Sequence, residues 1–462
     1  MKLTRTLLLL LMCGSWVSSA LAGDNAALYA LLEALHENGT IDGPTYEVIK
    51  QVAARDKEQS NAQADAQTAE AVQAEVKKQV EEQVKAATAD QPTISTKGKF
   101  EVTSADGDFS VRLGGRIQAD AALYDTDVVD HGDGSEIRRA RLFMAGTLWR
   151  VWDYKFQYDF TGSGADGIAD AYVSYADLGP AEIQVGHFKE PFSLQNMTSS
   201  KYTNFIERGL PHLLVPGRNI GAAVNTGANN WSASAGLFGT GIDDPAGNSD
   251  ESLGATGRVT YAPINNGNQV VHLGGALSYR DTGQDKTLTF SDRPESHVTD
   301  IRLVNTMAMD ADSFYRYGVE AAWVYDRLTL QGEYMGVSVD RAVAGNPDVD
   351  FDGYYAEIMY FLTNDQRTYS GSSGAFKSVK PNSAVGYGGI GAWQIGARIS
   401  NVDLIDGDIN GGEEDNLTLG LNWFPNANLR LSANYIKVLD TMGGAFAGDE
   451  PDIFTVRGQV EF

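Results

Sequence analysis

The sequence predicts an all-β fold: a 16-stranded antiparallel transmembrane β-barrel, preceded by a short helical, coiled-coil-like N-terminal segment. Three observations lead there. From residue 97 onward apolar residues recur at every second position, whereas before residue 90 they recur at helical spacing. The alternating runs number 16, an even count, and aromatic residues gather at their ends. No stretch after residue 22 approaches the ~20 apolar residues that a spanning helix needs, so a membrane can be crossed only with strands.

The N-terminal element, "MKLTRTLLLLLMCGSWVSSALAG", has two basic residues, a leucine run and a small-x-small site at Ala20-Leu21-Ala22. It reads as a secretory signal peptide over residues 1–22, which places the mature start at Gly23. Bulky Leu11 and Met12 before Cys13 argue against a lipid anchor. Loss of Lys2 and Arg5 with the leader moves the net charge from -25 to -27. The exported part then holds no cysteine, so packing and hydrogen bonds alone hold the fold.

Residues 23–90 form the helical segment. Leu28, Leu31, Leu32 and Leu35 share one face, the pattern breaks at Asn38-Gly39, and it resumes after Pro44. Val72, Val76, Val80 and Val84 then stand four apart, a spacing that drifts around a helix. Both an oligomeric coil and a single solvated helix are compatible with it. Residues 91–96 read as a linker.

The barrel domain occupies 97–462. In "WDYKFQYDF" Trp152, Tyr154, Phe156, Tyr158 and Phe160 alternate with Asp153, Lys155, Gln157 and Asp159. The last strand alternates likewise and finishes on Phe462, expected as its lipid-facing end. A sandwich would place the apolar face against a second sheet, and sheets rarely exceed ~10 strands without splitting. Charged inner faces and aromatic ends (Tyr124, Trp149, Tyr175, Trp323, Tyr325, Trp393, Trp423, Phe424) fit a barrel with apolar outside and polar inside. Short connectors such as 177–180, 228–230 and 425–428 alternate with long ones near 241–251, 281–312, 340–352, 363–390, 403–415 and 440–452. The long ones are expected outside the cell.

A barrel of 16 strands leaves an open lumen, where ~8 would be filled by side chains. Arg112, Arg116, Arg139 and Arg141 fall on the polar faces of the first two strands. Arg138 breaks the alternation and is expected at the strand's mouth. Five guanidiniums within thirty residues point to anion handling, because each offers forked donors to a phosphate or carboxylate. The 189–218 stretch is not acidic, unlike the other long connectors. It carries Lys189, Lys201, Arg208 and Arg218 beside Thr198, Ser199, Ser200 and Thr203, and folding inward it would narrow the pore.

Other chemistry is weakly represented. "DGDING" (406–411) opens like a calcium loop, but Leu417 stands where the closing Glu belongs. The six histidines show no metal spacing, and no nucleophile motif surrounds His187 or Ser193. No cofactor is implied. The net charge of -27 without a basic face excludes a nucleic-acid partner. A barrel enzyme and an adhesive barrel tethered through its N-terminal helices remain as rival classes.

The segments "RLGGRIQAD", "IRRARL", "DYKFQYDF", "DAYVSY", "TSSKYTNFIERGL", "NQVVHLGGALSYRD" and "TLGLNWFPNANLRLSANYIKV" resemble the phosphate- and polyphosphate-selective porins of the O and P type. The resemblance covers most of 97–462. It implies a trimeric 16-stranded porin in the outer membrane, embedded among lipid and lipopolysaccharide, that passes small hydrophilic solutes and prefers anions such as phosphate. It implies no turnover chemistry. By motif, Arg116, Arg138 and Arg139 match the family's arginine ladder. Ser199, Ser200 and Arg208 match phosphate contacts of the inward loop, with Lys201 beside them and Asp170 as the acidic partner. Two positions depart: Asn196 stands where phosphate-selective members carry lysine, and Arg141 where an aromatic is typical. The first departure implies weak phosphate binding.

Overall fold

The structure is a computed structural model, which describes residues 25–88, 91–96, 98–242 and 250–462. The expected leader and the middle of the 241–251 connector lie outside the described residues. The chain divides into two compact units, Met1–Gln91 and Pro92–Phe462. In the first, α1 (Asn25–Glu37) and α2 (Gly43–Thr88) follow the two helical stretches. His36 stacks on Tyr46 at 4.7 Å between them. Helix α2 runs for 46 residues, about 70 Å at 1.5 Å per residue, and exposes Val72, Val76 and Val80.

The second unit is a closed barrel. Its first strands are β1 (Ser110–Asp125), β2 (Gly134–Leu148), β3 (Trp152–Asp159), β4 (Ile168–Leu178) and β5 (Ala181–Lys189). Next come β6 (Arg218–Ala228), β7 (Trp231–Phe238), β8 (Gly254–Asn265), β9 (Gln269–Asp281), β10 (Ser313–Tyr325) and β11 (Leu328–Asp340). The wall is completed by β12 (Val349–Phe361), β13 (Ala392–Asp406), β14 (Ile409–Asn426), β15 (Leu429–Met442) and β16 (Asp452–Glu461). Each pairs antiparallel with the next, and β16 returns to β1 from Asp452↔Asp125 to Glu461↔Arg116. Sixteen wall strands are therefore present, as the alternation predicts. The expected linker differs: Thr93–Ser95 is a short strand pairing with Phe100–Thr103, which in turn pairs with the start of β1.

Outward side chains form the belt that lipid requires. Trp152, Trp231, Tyr261, Trp323, Tyr325 and Tyr360 are exposed near the short turns, and Trp393 stacks on Trp423 at 5.3 Å. Tyr279, Tyr315, Tyr334, Tyr354, Tyr435 and Phe454 are exposed nearer the other rim. Interfacial aromatics at two levels with aliphatic side chains between them are the signature of a spanning barrel.

The closing seam explains the glycine pair of "RLGGRIQ". Gly115 N–H donates to the Phe462 carbonyl at 2.9 Å. A Cβ on Gly115 would lie 2.6 Å from the Arg141 carbonyl and 2.8 Å from the Phe462 ring. Gly115→Val is expected to open this seam, at an overpacking cost of about 1–3 kcal/mol. Heat-modifiable gel migration checks it: less folded barrel than wild type is the expected result.

Three expectations are corrected here. The 403–415 stretch is not a loop, since β13 and β14 continue to a two-residue turn in which Gly407 has φ 57. The 362–391 connector lies at the short-turn end: Leu362 N–H donates to the Trp393 carbonyl and Val385 N–H to the Pro425 carbonyl, both at 2.8 Å. Counting strands places it there, because it follows an even-numbered strand. The lumen, finally, is not polar all round. Met335, Val337, Val339, Val349, Phe351, Val402 and Leu404 face inward from β11 to β13 and are buried. They pack against Phe192, Leu210 and Leu214 of the 190–217 loop and Phe290, Val304 and Met309 of the 282–312 loop. This arc is two-sided: lipid outside, a protein core inside. The open passage is displaced toward β1–β6.

Candidate functional site: a basic eyelet

The 190–217 loop reaches this position because the wall holds it. Glu333 on β11 accepts the N–H groups of Leu194 and Gln195 at 2.9 and 2.8 Å, and the Tyr355 hydroxyl at 2.6 Å. That carboxylate caps the short helix Leu194–Met197, whose N-terminal donors would otherwise be buried without partners. Arg430 on β15 donates to the Thr203 and Asn204 carbonyls at 2.7 and 2.9 Å.

Between loop and wall lies a cavity of about 800 Å³. Arg112, Arg116, Arg139, Arg141 and Lys155 line it from the wall, and Lys189 and Arg218 from the two strand ends that flank the loop. Lys201 and Arg208 reach it from the loop and Lys377 from the 362–391 connector; Asp170 is its one lining carboxylate. Ser199, Ser200 and Asn196 lie among them.

The hydrogen bonds sort these cations. Asp170 accepts from Lys155 at 2.6 Å and Arg218 at 3.1 Å. Arg141 is matched by Asp159 at 2.6 Å, and Lys201 pairs with Glu461. By contrast, Arg116 donates to the Ser199 hydroxyl at 3.2 Å, and Arg208 to the Gln195 and Thr198 carbonyls at 2.9 and 3.3 Å. Lys189 donates to the Asn196 carbonyl. Among the described residues, Arg112, Arg116, Lys189, Arg208 and Lys377 form no ion pair with a carboxylate. Arg116 Nε and Asn196 Nδ2 are buried donors without a protein partner there. Unpaired cations and spare donors around a polar cavity favour an anion inside it.

Arg138 and Arg139 behave differently from the expectation. The β1–β2 register slips between Gln118 and Ala119, so Arg138 is the extra residue of a β-bulge rather than a residue at the strand's mouth. The bulge lets consecutive arginines reach one loop carboxylate. Arg138 donates to Glu207 at 2.9 and 3.3 Å, Arg139 lies 3.7 Å from it, and Arg457 donates at 2.7 Å. Burial alone would raise Glu207, but Arg138, Arg139 and Arg457 overrule it and hold the group well below the usual carboxylate range. Arg138 does not line the cavity. Arg139 lines it but is also tied to Gln118 at 3.1 Å.

Among the participants that escaped the sequence reading are Lys155, Asp159, Glu207, Lys377, Arg457 and Glu461. Lys155 stood on the right face of "DYKFQYDF", but its bond to Asp170 depends on register, which alternation cannot give. Glu207 adjoins Arg208 in sequence but pairs with Arg138, Arg139 and Arg457, so adjacency alone points to the wrong partner.

Burial, then the neighbouring Arg218, Arg138 and Arg141, brings Arg208 down to about 10 even though Glu207 opposes the shift, so it stays charged at neutral pH. His212 is held well below the ordinary 6.5 by burial, then by Arg208 and Lys189. A lowered histidine is neutral throughout the neutral range. Ion selectivity is therefore expected to stay flat between about pH 6 and 8. A reversal-potential titration with a midpoint in that window, abolished by His212→Ala, is the contrary result.

A closed barrel of 16 strands, aromatic belts and a charged constriction held by an inward loop define an outer-membrane porin, a channel rather than an enzyme. Residues 111–462 match the family described as phosphate-selective porin O and P, and the chain belongs to that family. It is 30% identical over 410 residues to Porin O of Pseudomonas aeruginosa, covering 80% of this chain and 92% of that protein. A Caulobacter vibrioides protein is 32% identical over 365 residues, covering 76% of this chain and 72% of its own length. In fold it is similar to the loop-deleted OmpT of Vibrio cholerae, with a TM-score of 0.50 at 13% identity, over 77% of this chain and 100% of that one.

Proposed function

We propose that this porin is an anion-preferring diffusion channel whose eyelet binds phosphate-like anions weakly. The observation that carries the reading is the imbalance in the cavity: one lining carboxylate against ten basic side chains, five of them without a carboxylate partner. Low-dielectric walls focus the field of such charges on a permeating ion. The binding residues in this reading are Arg116, Lys189, Ser199, Ser200 and Arg208. Asp170, Arg141 and Lys201 set the local balance through their ion pairs. Asn196 offers a neutral amide where a further cation would tighten binding.

Block of chloride current by inorganic phosphate tests the binding half. Half-block is expected at roughly millimolar phosphate. Chloride current indifferent to phosphate at every concentration would remove the phosphate-like ligand from the reading.

We also propose a homotrimer with the N-terminal segment in the periplasm. Strand β1 starts at the short-turn end, so the chain before it approaches the barrel from the periplasmic side if the longer loops face outward. Crosslinking of the purified protein to a three-chain species checks the assembly. Protease digestion of residues 25–88 in spheroplasts but not in whole cells checks the side.

A further inference from the structure

We propose that residues 384–390, the tip of the 362–391 connector, form a foot that rests in the lipid headgroup layer at the short-turn end of the barrel. Its partner is the boundary between headgroups and acyl chains, met through Val385, Tyr387 and Ile390.

The tip is apolar and open. No charged residue stands between Lys380 and Arg398. Val385, Tyr387 and Ile390 are 40, 92 and 66% exposed, and among the described residues no other large apolar or aromatic side chain is as exposed as Tyr387. Gly386 and Gly388, at φ 89 and 85, turn the chain on either side of Tyr387. Apolar groups clustered in water forgo the stabilisation that burial gives, so a patch of this kind marks a contact surface. The other turns at this end are as short as Gly179-Pro180 and Asn229-Asn230, between paired strands.

Its position points to lipid as the contact. Trp423 lies on the outward face with Leu421 and Leu431, stacks on Trp393, and donates its indole N–H to the Ile390 carbonyl at 2.9 Å. Val385 N–H donates to the Pro425 carbonyl at 2.8 Å, at the end of β14. The foot is therefore continuous with the aromatic belt of the short-turn end. Irregular backbone is kept out of hydrocarbon by its unpaired polar groups. Here Tyr387 and Gly389 both donate to the Ala384 carbonyl at 3.2 Å, and Gly391 to the Ser383 carbonyl at 2.8 Å, which lowers that cost at the headgroup level. A tyrosine suits this layer, with its ring among apolar groups and its hydroxyl in water. The same connector touches the inward loop, where Phe376 is buried against Leu194 and Arg367 donates to the Tyr202 carbonyl at 2.6 Å. The foot thus ties to the bilayer a chain that also supports the eyelet. The plain alternative is a solvated loop beyond the bilayer.

Depth-dependent quenching decides between them. Cys13, the one cysteine of the chain, lies in the expected leader, so an introduced cysteine is the single thiol of the exported protein. Tyr387→Cys and Ile390→Cys, each in the full-length protein, are labelled with a nitrobenzoxadiazole probe and reconstituted in phosphatidylethanolamine–phosphatidylglycerol vesicles. Interfacial groups sit ~5–10 Å into the headgroup boundary, so a nitroxide placed there on the lipid is expected to quench either label roughly twofold more than one at the acyl-chain end. Aqueous cobalt ions are expected to quench both labels weakly. Val343→Cys, at an exposed side chain in the loop after β11, is expected to respond to cobalt and not to the nitroxide lipids. Heat-modifiable migration reports a folded barrel in each variant. A label at 387 or 390 that responds to cobalt and not to the nitroxide lipids overturns the proposal. So does a label shielded from both quenchers, which would place the tip against protein, a second copy included.

Discussion

Arg208→Glu is expected to turn an anion-preferring channel into one that favours potassium. Arg208 is half-buried, held by two backbone carbonyls, and has no carboxylate hydrogen-bonded to it. Reversal changes the local charge by two, in a cavity already lined by Asp170 and beside its sequence neighbour Glu207. A unit charge at ~4 Å interacts by about 4 kcal/mol at an effective dielectric constant of about 20, well beyond the 1.4 kcal/mol that shifts a ratio tenfold. Arg208→Gln, which removes charge without reversing it, is expected to lower the permeability ratio about tenfold. Arg138→Gln should do far less, because Arg138 faces Glu207 and lies outside the cavity. Equal effects at Arg138 and Arg208 in bilayer recordings would contradict the sorting of paired from unpaired cations.

Glu333→Ala is expected to loosen the inward loop and raise unit conductance while weakening selectivity. Its carboxylate is buried and takes two loop N–H groups together with the Tyr355 hydroxyl. Each donor left buried without a partner costs about 1–3 kcal/mol, so the loss strains the loop's attachment severely. The core formed by Phe192, Leu210 and Leu214 still holds the distal part, which limits the movement to the Leu194–Met197 helix and the strip after it. Glu333→Gln keeps one acceptor and should fall between the two. Conductance and selectivity unchanged in Glu333→Ala would show that apolar packing alone sets the loop.

The strand pattern was legible because lipid and an open passage impose opposite demands on alternate residues. It failed where that contrast is absent. In "LTLQGEYMGVSVD" Leu330 and Tyr334 face out while Val337 and Val339 face in, and both sets are apolar. Apolar residues of both parities signal a strand covered on two sides, and here the cover comes from loops far away in sequence. Acidic, glycine-rich composition misled at 403–415, where Asp406 and Asp408 sit at the tip of a hairpin; Asp408 pairs with Arg341 at 2.8 Å. The Arg138-Arg139 doublet marked the bulge by its broken phase. Its partner Glu207, 69 residues away, is a matter of tertiary placement. The same holds for Lys377, whose connector looked like any polar loop until the barrel was closed around it.

The zero-current potential of the unmodified protein, measured across a potassium chloride gradient in a planar bilayer, tests the central claim most directly. The acidic net charge of -25 and the basic eyelet predict opposite signs for it. The charges outside the constriction are screened within ~8–10 Å, so the eyelet should govern. The account predicts a potential of the sign set by chloride as the more permeant ion. A potential of the sign set by potassium, with the barrel intact and conducting, would contradict it.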